Sequence, residues 1–413
     1  MKLIVKNLFS LGFVQGINLL IPLLLTPYLI HTIGVSAFGV VATAQGFVYF
    51  FIILTDFGFN ITSVRRLAQS KNNKQEIEDI VNGVFFSKLF LVLLSLVIYL
   101  PLVLTIPQFN SNMLVYLGSF SMVIGQFLLP VWFYQGIEDL KKTILPVIIF
   151  KILSIAAIII VVKNTEDAHY ANFLLGLGNI FTGIILYYLL IRQYKITLRP
   201  ISIRQLIAEL KNSMAIFISN IGVVIYGNTS LIILSFFLTP TVLGVYSIVD
   251  KIIQLLKSLL GIIHQATYPR LCNIINENKM PVVVFIRKIY IPVWIGVFLL
   301  SIFLFFAPTV MVSYFVKDPE LLLFASDILK QVSFVIFITS LNMPFFQSLL
   351  AYKKDWLTVR ILLGGSIVSI VLNLILVPFF KIGGTIITIY LVEAMVTGLL
   401  IYFMAQLKNE NEN

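Results

Sequence analysis

The sequence predicts an all-α polytopic membrane protein, with about twelve transmembrane helices in two six-helix lobes around a central cavity. Three observations predict it. Of 413 residues, 59% are hydrophobic and 11% are charged, whereas soluble domains are about a quarter charged. Apolar runs near the ~20 residues that a helix needs to cross the hydrocarbon recur along the whole chain. Basic residues are concentrated in alternate connecting segments. No single soluble core could hide this much apolar surface, so the bilayer is the solvent that suits the chain.

The candidate spans are 8–31, 36–58, 81–104, 112–134, 144–162, 170–191, 213–237, 241–263, 288–313, 322–350, 357–378 and 383–405. The opening MKLIVKNLFSLGFVQGINLLIPLLLTPYLI is apolar for longer than a signal-peptide core and offers no small-residue cleavage site. It therefore reads as an uncleaved first span. The tenth contains Asn342 and Pro344, where a kink or break is expected because proline removes a helical hydrogen bond.

One set of connections and ends carries twenty-one Lys and Arg, among them Arg65, Arg66, Lys141, Lys142, Arg199, Arg204, Arg270, Lys353 and Lys354; the other carries only Lys163, Lys317 and Lys381. The positive-inside rule then places both termini in the cytoplasm. The net charge of +11 is mostly this topology signal, matched to anionic headgroups, and not a nucleic-acid footprint. Cys272 is the only cysteine, so no internal disulfide can form.

Sliding the chain by 205 residues lays FGVVATAQ (38–45) over LGVYSIVD (243–250), and brings Arg65 onto Arg270 and Lys74 onto Lys279. At an offset of 212, FYQGIEDLKK (133–142) lies over FFQSLLAYKK (345–354). Two parallel repeats of six spans follow, and transporters often bind substrate at such a repeat interface. The expected organisation is an N-terminal lobe over 1–200, a cytoplasmic surface linker over 201–211, a C-terminal lobe over 212–405 and a cytoplasmic tail over 406–413. The linker region shows amphipathic spacing at Ile203, Leu206, Ile207 and Leu210, which suits the inner membrane surface.

Charges inside the spans carry the functional signal. Asp250 lies roughly 14 Å into its span, near the midplane, with Lys251 beside it, and Glu393 is also mid-span. A charge there costs at least ~3 kcal/mol, so it must face protein or a water-filled cavity. Asp250, Gln254, Lys257 and Gly261 fall at i, i+4, i+7 and i+11, on one helix face. Asp327, Lys330 and Gln331 share one turn. Gln15, Asn18 and Gln45 could line the opposing half, and Asn220 and Asn228 add hydrogen-bonding groups. Lys88, Lys151 and Lys257 lie close enough to the inner surface either to face the cavity or to snorkel to water. Asp56 sits at the inner end of its span, where it could cap the helix or meet a basic loop. The surplus of lysine over acid suits an anionic ligand.

The segment TPYLIHTIGVSAFGVVATAQGFVYFFIILTDFGFNITSVRRLAQ (26–69) resembles the start of bacterial O-antigen flippases. These form the polysaccharide-export branch of the multidrug/oligosaccharidyl-lipid/polysaccharide exporter superfamily. The resemblance lies in Pro27 and Tyr28 closing the first span, Gly34, Phe38 and Gly39 opening the second, Asp56 and Gly58 near its inner end, and Arg65 and Arg66 beyond. It implies transfer of undecaprenyl-pyrophosphate-linked oligosaccharide repeat units from the inner to the outer leaflet of the bacterial cytoplasmic membrane. It also implies alternating access coupled to H+ or Na+; the assignment of Asp250, Asp327, Glu393 and Asp56 as ion-coupling carboxylates rests on their position in or near the spans and not on the resemblance. Polysaccharide polymerase and chain-length proteins are possible partners; no cofactor is expected.

Two other readings compete. A multidrug or cation antiporter of the same superfamily would favour acids and aromatics in its cavity, and here lysines equal or exceed acids. A membrane-embedded polysaccharide polymerase or ligase would need catalytic groups on a sizeable outer loop. The outer loops are short, with only His31 and His169 near that face. No phosphate-cradling GxxxxGK[ST] occurs, and no His/Cys/carboxylate cluster suggests a metal site.

Overall fold

In a lipid solvent each backbone N–H and C=O must find its partner within the chain, and a helix pairs them within its own segment. The computed structural model describes residues 2–70, 73–277 and 282–412, and every regular element among them is helical. Side chains of residues 1–23 lie outside the description. The chain forms two compact units, Met1–Val224 and Ile225–Asn413.

The first unit contains α1 (Lys2–Asp56), α2 (Phe59–Gln69), α3 (Lys74–Thr105), α4 (Pro107–Asn110), α5 (Met113–Ser119), α6 (Ser121–Leu128), α7 (Val131–Gly136), α8 (Lys141–Val161) and α9 (Ala168–Tyr194). Helix α10 (Ile203–Ser235) starts in the first unit and ends in the second. The second unit continues with α11 (Pro240–Glu277), α12 (Val282–Phe306), α13 (Pro308–Val312), α14 (Pro319–Val332), α15 (Val335–Ala351), α16 (Asp355–Phe380) and α17 (Ile382–Glu412). Among the described residues, nine helical stretches are long and apolar enough to cross a membrane, or up to ten with the bent pair Ile203–Gly222 and Gly227–Ser235 taken together. The nine do not include α11, whose apolar run carries Asp250, Lys251 and Lys257.

Breaks occur where the backbone demands them. Helix α1 bends at Gly34, whose φ of 81° and ψ of 161° are not helical. Tyr28 anchors that bend: its hydroxyl reaches the Ile159 and Val162 carbonyls at the end of α8, at 3.0 and 2.8 Å. At the junction of α1 and α2, Gly58 is left-handed with φ 81°. Helices α6 and α9 pack closely because α9 presents glycine at the contact. A Cβ on Gly183 would sit 2.3 Å from the Leu128 carbonyl oxygen.

The segment after α9 is tied back onto the first unit. Asn82 brackets it, donating to the Thr197 carbonyl at 3.0 Å and accepting from the Arg199 N–H at 3.0 Å. Glu209 is buried and bonds Arg66 at 2.6 Å. There is room for it because position 83 is glycine: a Cβ there would lie 2.8 Å from Glu209 Oε1. Ile203 and Ile207 are exposed, while Leu210 packs on the core around Phe133 and Leu190. Residues 203–211 are thus the opening turns of α10, held at its polar side by a charge pair.

In the second unit the expected break at Asn342 and Pro344 lies elsewhere. Helices α14 and α15 part at Ser333 and Phe334, and α15 runs through Pro344 unbroken. Proline cannot donate to the Ser340 carbonyl one turn back. The indole N–H of Trp294 donates to it instead, at 3.1 Å. Nearby, buried Tyr290 donates to Gln347 Oε1 at 2.7 Å, and Gln347 Nε2 donates to the His264 carbonyl at 2.7 Å. This knot joins α11, α12 and α15.

Gly58 generates a prediction. A side chain there meets both a left-handed backbone and Ile216, whose Cγ2 lies 2.6 Å from the Cβ position. Gly58→Ala is expected to lose about 2–5 kcal/mol, from ~1–2 for the backbone and ~1–3 for overpacking. A lowered thermal midpoint of the detergent-purified protein is the measurement.

Candidate functional site

Helix α11 carries Asp250, Gln254 and Lys257 on one face. There Gln254 Nε2 donates to Asp250 Oδ2 at 2.7 Å, one helical turn apart. One turn further on, Lys257 reaches off the helix to α17, where its Nζ lies 3.0 Å from Glu393 Oε1. The lysine side chain is 33% exposed and the glutamate side chain 2%.

Glu393 is held by more than its lysine. Its Oε1 also accepts from the Thr339 hydroxyl at 2.8 Å, and its Oε2 accepts from Asn342 Nδ2 at 2.9 Å. Thr339 and Asn342 are three residues apart on α15 and so share a face. Thr397, one turn beyond Glu393, places its hydroxyl against both Asn342 Oδ1 and the Glu393 carbonyl. That contact fixes the Asn342 amide with its NH2 toward the carboxylate. Two donors from α15 and a lysine from α11 therefore satisfy one carboxylate on α17, as a buried charge requires.

A second polar strip lies on α14. Asp327 accepts from Gln331 Nε2 at 2.7 Å, and Lys330 stands over the Phe305 ring at 5.0 Å. Asp327, Lys330 and Gln331 are all exposed. Tyr390, one turn before Glu393, donates to the Gln331 carbonyl at 2.8 Å and couples this strip to α17. Lys251 is half-buried beside Asp250, and Asn228 is half-buried on α10.

The first unit uses its polar groups differently. Lys88 and Asp56 form an ion pair at 2.8 Å with side chains 1% and 6% exposed. The ammonium thus meets its counter-charge inside the chain instead of reaching out to water. Gln45 donates to Asn172 Oδ1 at 2.8 Å, and Asn172 donates to Ser119 Oγ at 2.8 Å and to the Val41 carbonyl at 3.0 Å. This knot holds α1, α5 and α9 together. Lys151 and Asn220 are half-buried, on α8 and α10. Gln15 and Asn18 lie on α1 with their side chains outside the described residues.

The described structure therefore brings Lys257 to Glu393 and Gln254 to Asp250, and joins Lys88 to Asp56. Sequence reasoning missed Thr339, Thr397 and Asn172 and took Asn342 only as a kink marker. Polar residues three or four apart inside apolar runs were the available signal.

Comparison with known proteins places the chain. Residues 4–275 match the family model for polysaccharide biosynthesis proteins, and the chain belongs to that family. A protein of Escherichia coli (strain K12) named "Putative O-antigen transporter" is 27% identical over 402 residues, covering 97% of this chain and 96% of the relative. One of the same name from Shigella dysenteriae is 25% identical over 395 residues, covering 95% and 97%. In fold the chain is similar to an inward-facing multidrug resistance MATE family transporter of the MOP superfamily, with TM-score 0.72, 13% identity and coverage of 94% and 98%. It is likewise similar to the lipid II flippase MurJ in an inward closed conformation, with TM-score 0.68, 16% identity and coverage of 97% and 87%. The chain is a multi-pass membrane protein of the polysaccharide biosynthesis family.

The sealed ion pair yields a test. Lys88→Met strands Asp56 as an uncompensated buried charge and is expected to cost about 3–5 kcal/mol. Adding Asp56→Leu removes the stranded charge and is expected to recover most of the loss. Thermal midpoints of the single and double variants in detergent check both.

Proposed function

We propose that this chain is a flippase for undecaprenyl-pyrophosphate-linked oligosaccharide repeat units, of O-antigen or a similar surface polysaccharide. It would move them from the inner to the outer leaflet of the bacterial cytoplasmic membrane by alternating access, driven by H+ or Na+. The observation that carries this reading is the polar row on α11, where a partly exposed Lys257 follows Gln254 and Asp250 on one face. Family membership and the named relatives support the same substrate class.

The chemistry suits such a cargo. A diphosphate bearing several sugars cannot cross hydrocarbon unaided, since each charge and hydroxyl would lose its water. Lysines such as Lys257, Lys251 and Lys330 offer point charges to the diphosphate without the bidentate grip of arginine, which favours release. Asn, Gln and Tyr side chains offer donors and acceptors to sugar hydroxyls. Asp250, Asp327, Glu393 and Asp56 are the carboxylates available to a coupling ion. Polymerase and chain-length proteins would take the cargo at the outer face.

Expression in a flippase-deficient strain is expected to restore the surface-polysaccharide ladder. At equal protein level, Lys257→Arg is expected to keep most of that ladder and Lys257→Glu to reduce it at least about tenfold, since the charge governs the contact. Equal ladders from the two variants would remove Lys257 from substrate handling. A reporter fused at the C-terminus is expected to be active only as a cytoplasmic reporter, in line with the basic-residue asymmetry.

A further inference from the structure

Two Lys–carboxylate pairs of the same chemistry occur in the described spans, and they differ in access. Lys88 and Asp56 are both sealed. In the other pair only the glutamate is sealed, and a third of the Lys257 side chain is open. The glutamate is also over-provided with donors. With Lys257 gone, Oε1 would still accept from Thr339 and Oε2 from Asn342. A buried carboxylate that keeps a donor on each oxygen can lose its cation at far less cost than one left bare. Thr397 holds the Asn342 amide in the orientation that does this.

We propose that Lys257 serves two anions in turn: Glu393 when the chain is empty, and the diphosphate of the cargo when it is loaded. Thr339 and Asn342 keep Glu393 in place during the exchange. The four-carbon stem of lysine lets its ammonium move between partners, and the fixed carboxylate competes with the ligand for it. Competition of this kind sets the affinity low enough for release. The internal anion retakes the lysine as the cargo leaves. This proposal rests on the flippase reading, because it takes a diphosphate as the cargo's charged group.

The test uses the full-length protein in nanodiscs with farnesyl diphosphate as the probe. Glu393→Gln removes the competing charge, yet its amide can still accept from Asn342 and donate to the Thr339 hydroxyl. It is expected to tighten probe binding about tenfold, near the lower end of measured couplings between close charges. Lys257→Gln is expected to weaken binding, and adding Glu393→Gln to it is expected to bring no tightening, because the competition runs through Lys257. Asn342→Ala leaves Glu393 more dependent on Lys257 and is expected to weaken binding several-fold, which keeps the proposal testable should Glu393→Gln not fold. If the probe binds the unaltered chain but Glu393→Gln leaves affinity unchanged or lower, or tightens it equally without Lys257, the exchange is overturned and the flippase reading stands. The exchange is equally overturned if Glu393→Gln does not fold and Asn342→Ala leaves affinity unchanged. If the unaltered chain, active in the ladder assay, binds no diphosphate probe, both the exchange and the diphosphate cargo fall.

Discussion

The carboxylate of Glu393 is where the constraints on this chain converge. Lipid supplies no donors, so an ionised group within a span must find them on neighbouring helices or stand in water. Here α15 provides a hydroxyl and an amide, α17 provides the threonine that orients the amide, and α11 provides the cation. Each donor ties one helix to the next. The carboxylate thereby ties three long helices, α11, α15 and α17, and α11 and α15 meet a second time where Gln347 donates to the His264 carbonyl. Apolar packing brings helices together in many registers; a hydrogen-bonded charge selects one.

Much of the architecture was legible because it follows from transfer free energy and from charge placement in the loops, both of which are additive along the chain. Depth within an apolar run picked out Asp250, Lys251 and Glu393 as groups needing an explanation, while Lys257 stood near the inner end of its run, where it could equally snorkel. What could not be read was pairing. Lys257 is 136 residues from Glu393 and Gln45 is 127 from Asn172, and nothing local links either pair. Pairs within one helix are easier to read, since the i, i+4 spacing puts Gln254 on the face of Asp250. The hydrogen bond that Asp250 accepts comes from Gln254, on its own face.

The helix breaks show the same limit from the backbone side. Pro344 looked like a break because it cannot donate to Ser340. A break follows only if the freed carbonyl goes unpaired, and here Trp294 supplies an indole N–H from α12. The junctions at Gly34 and Gly58 did coincide with residues of the quoted N-terminal segment, since both need a backbone that other residues rarely adopt. Tyr28 in that segment is likewise structural: it closes the end of α8 with a hydroxyl that reaches two free carbonyls. Residues that carry a family resemblance are, in this chain, largely those that shape the helices.

That separation matters for function. The Asp56–Lys88 pair lies in the quoted N-terminal segment and its neighbour α3, and it is sealed. The Lys257–Glu393 pair lies outside that segment and is open on one side. The sealed pair ties α1 to α3. An open pair with a fixed anion and a mobile cation has a second state available to it whenever another anion arrives. In a transporter, groups that set affinity must change partners during each cycle, while the scaffold around them must not. The donors around the two carboxylates differ in the same way: Lys88 is sealed against its acid, whereas Glu393 accepts from Thr339 and Asn342 as well as from its partly exposed lysine.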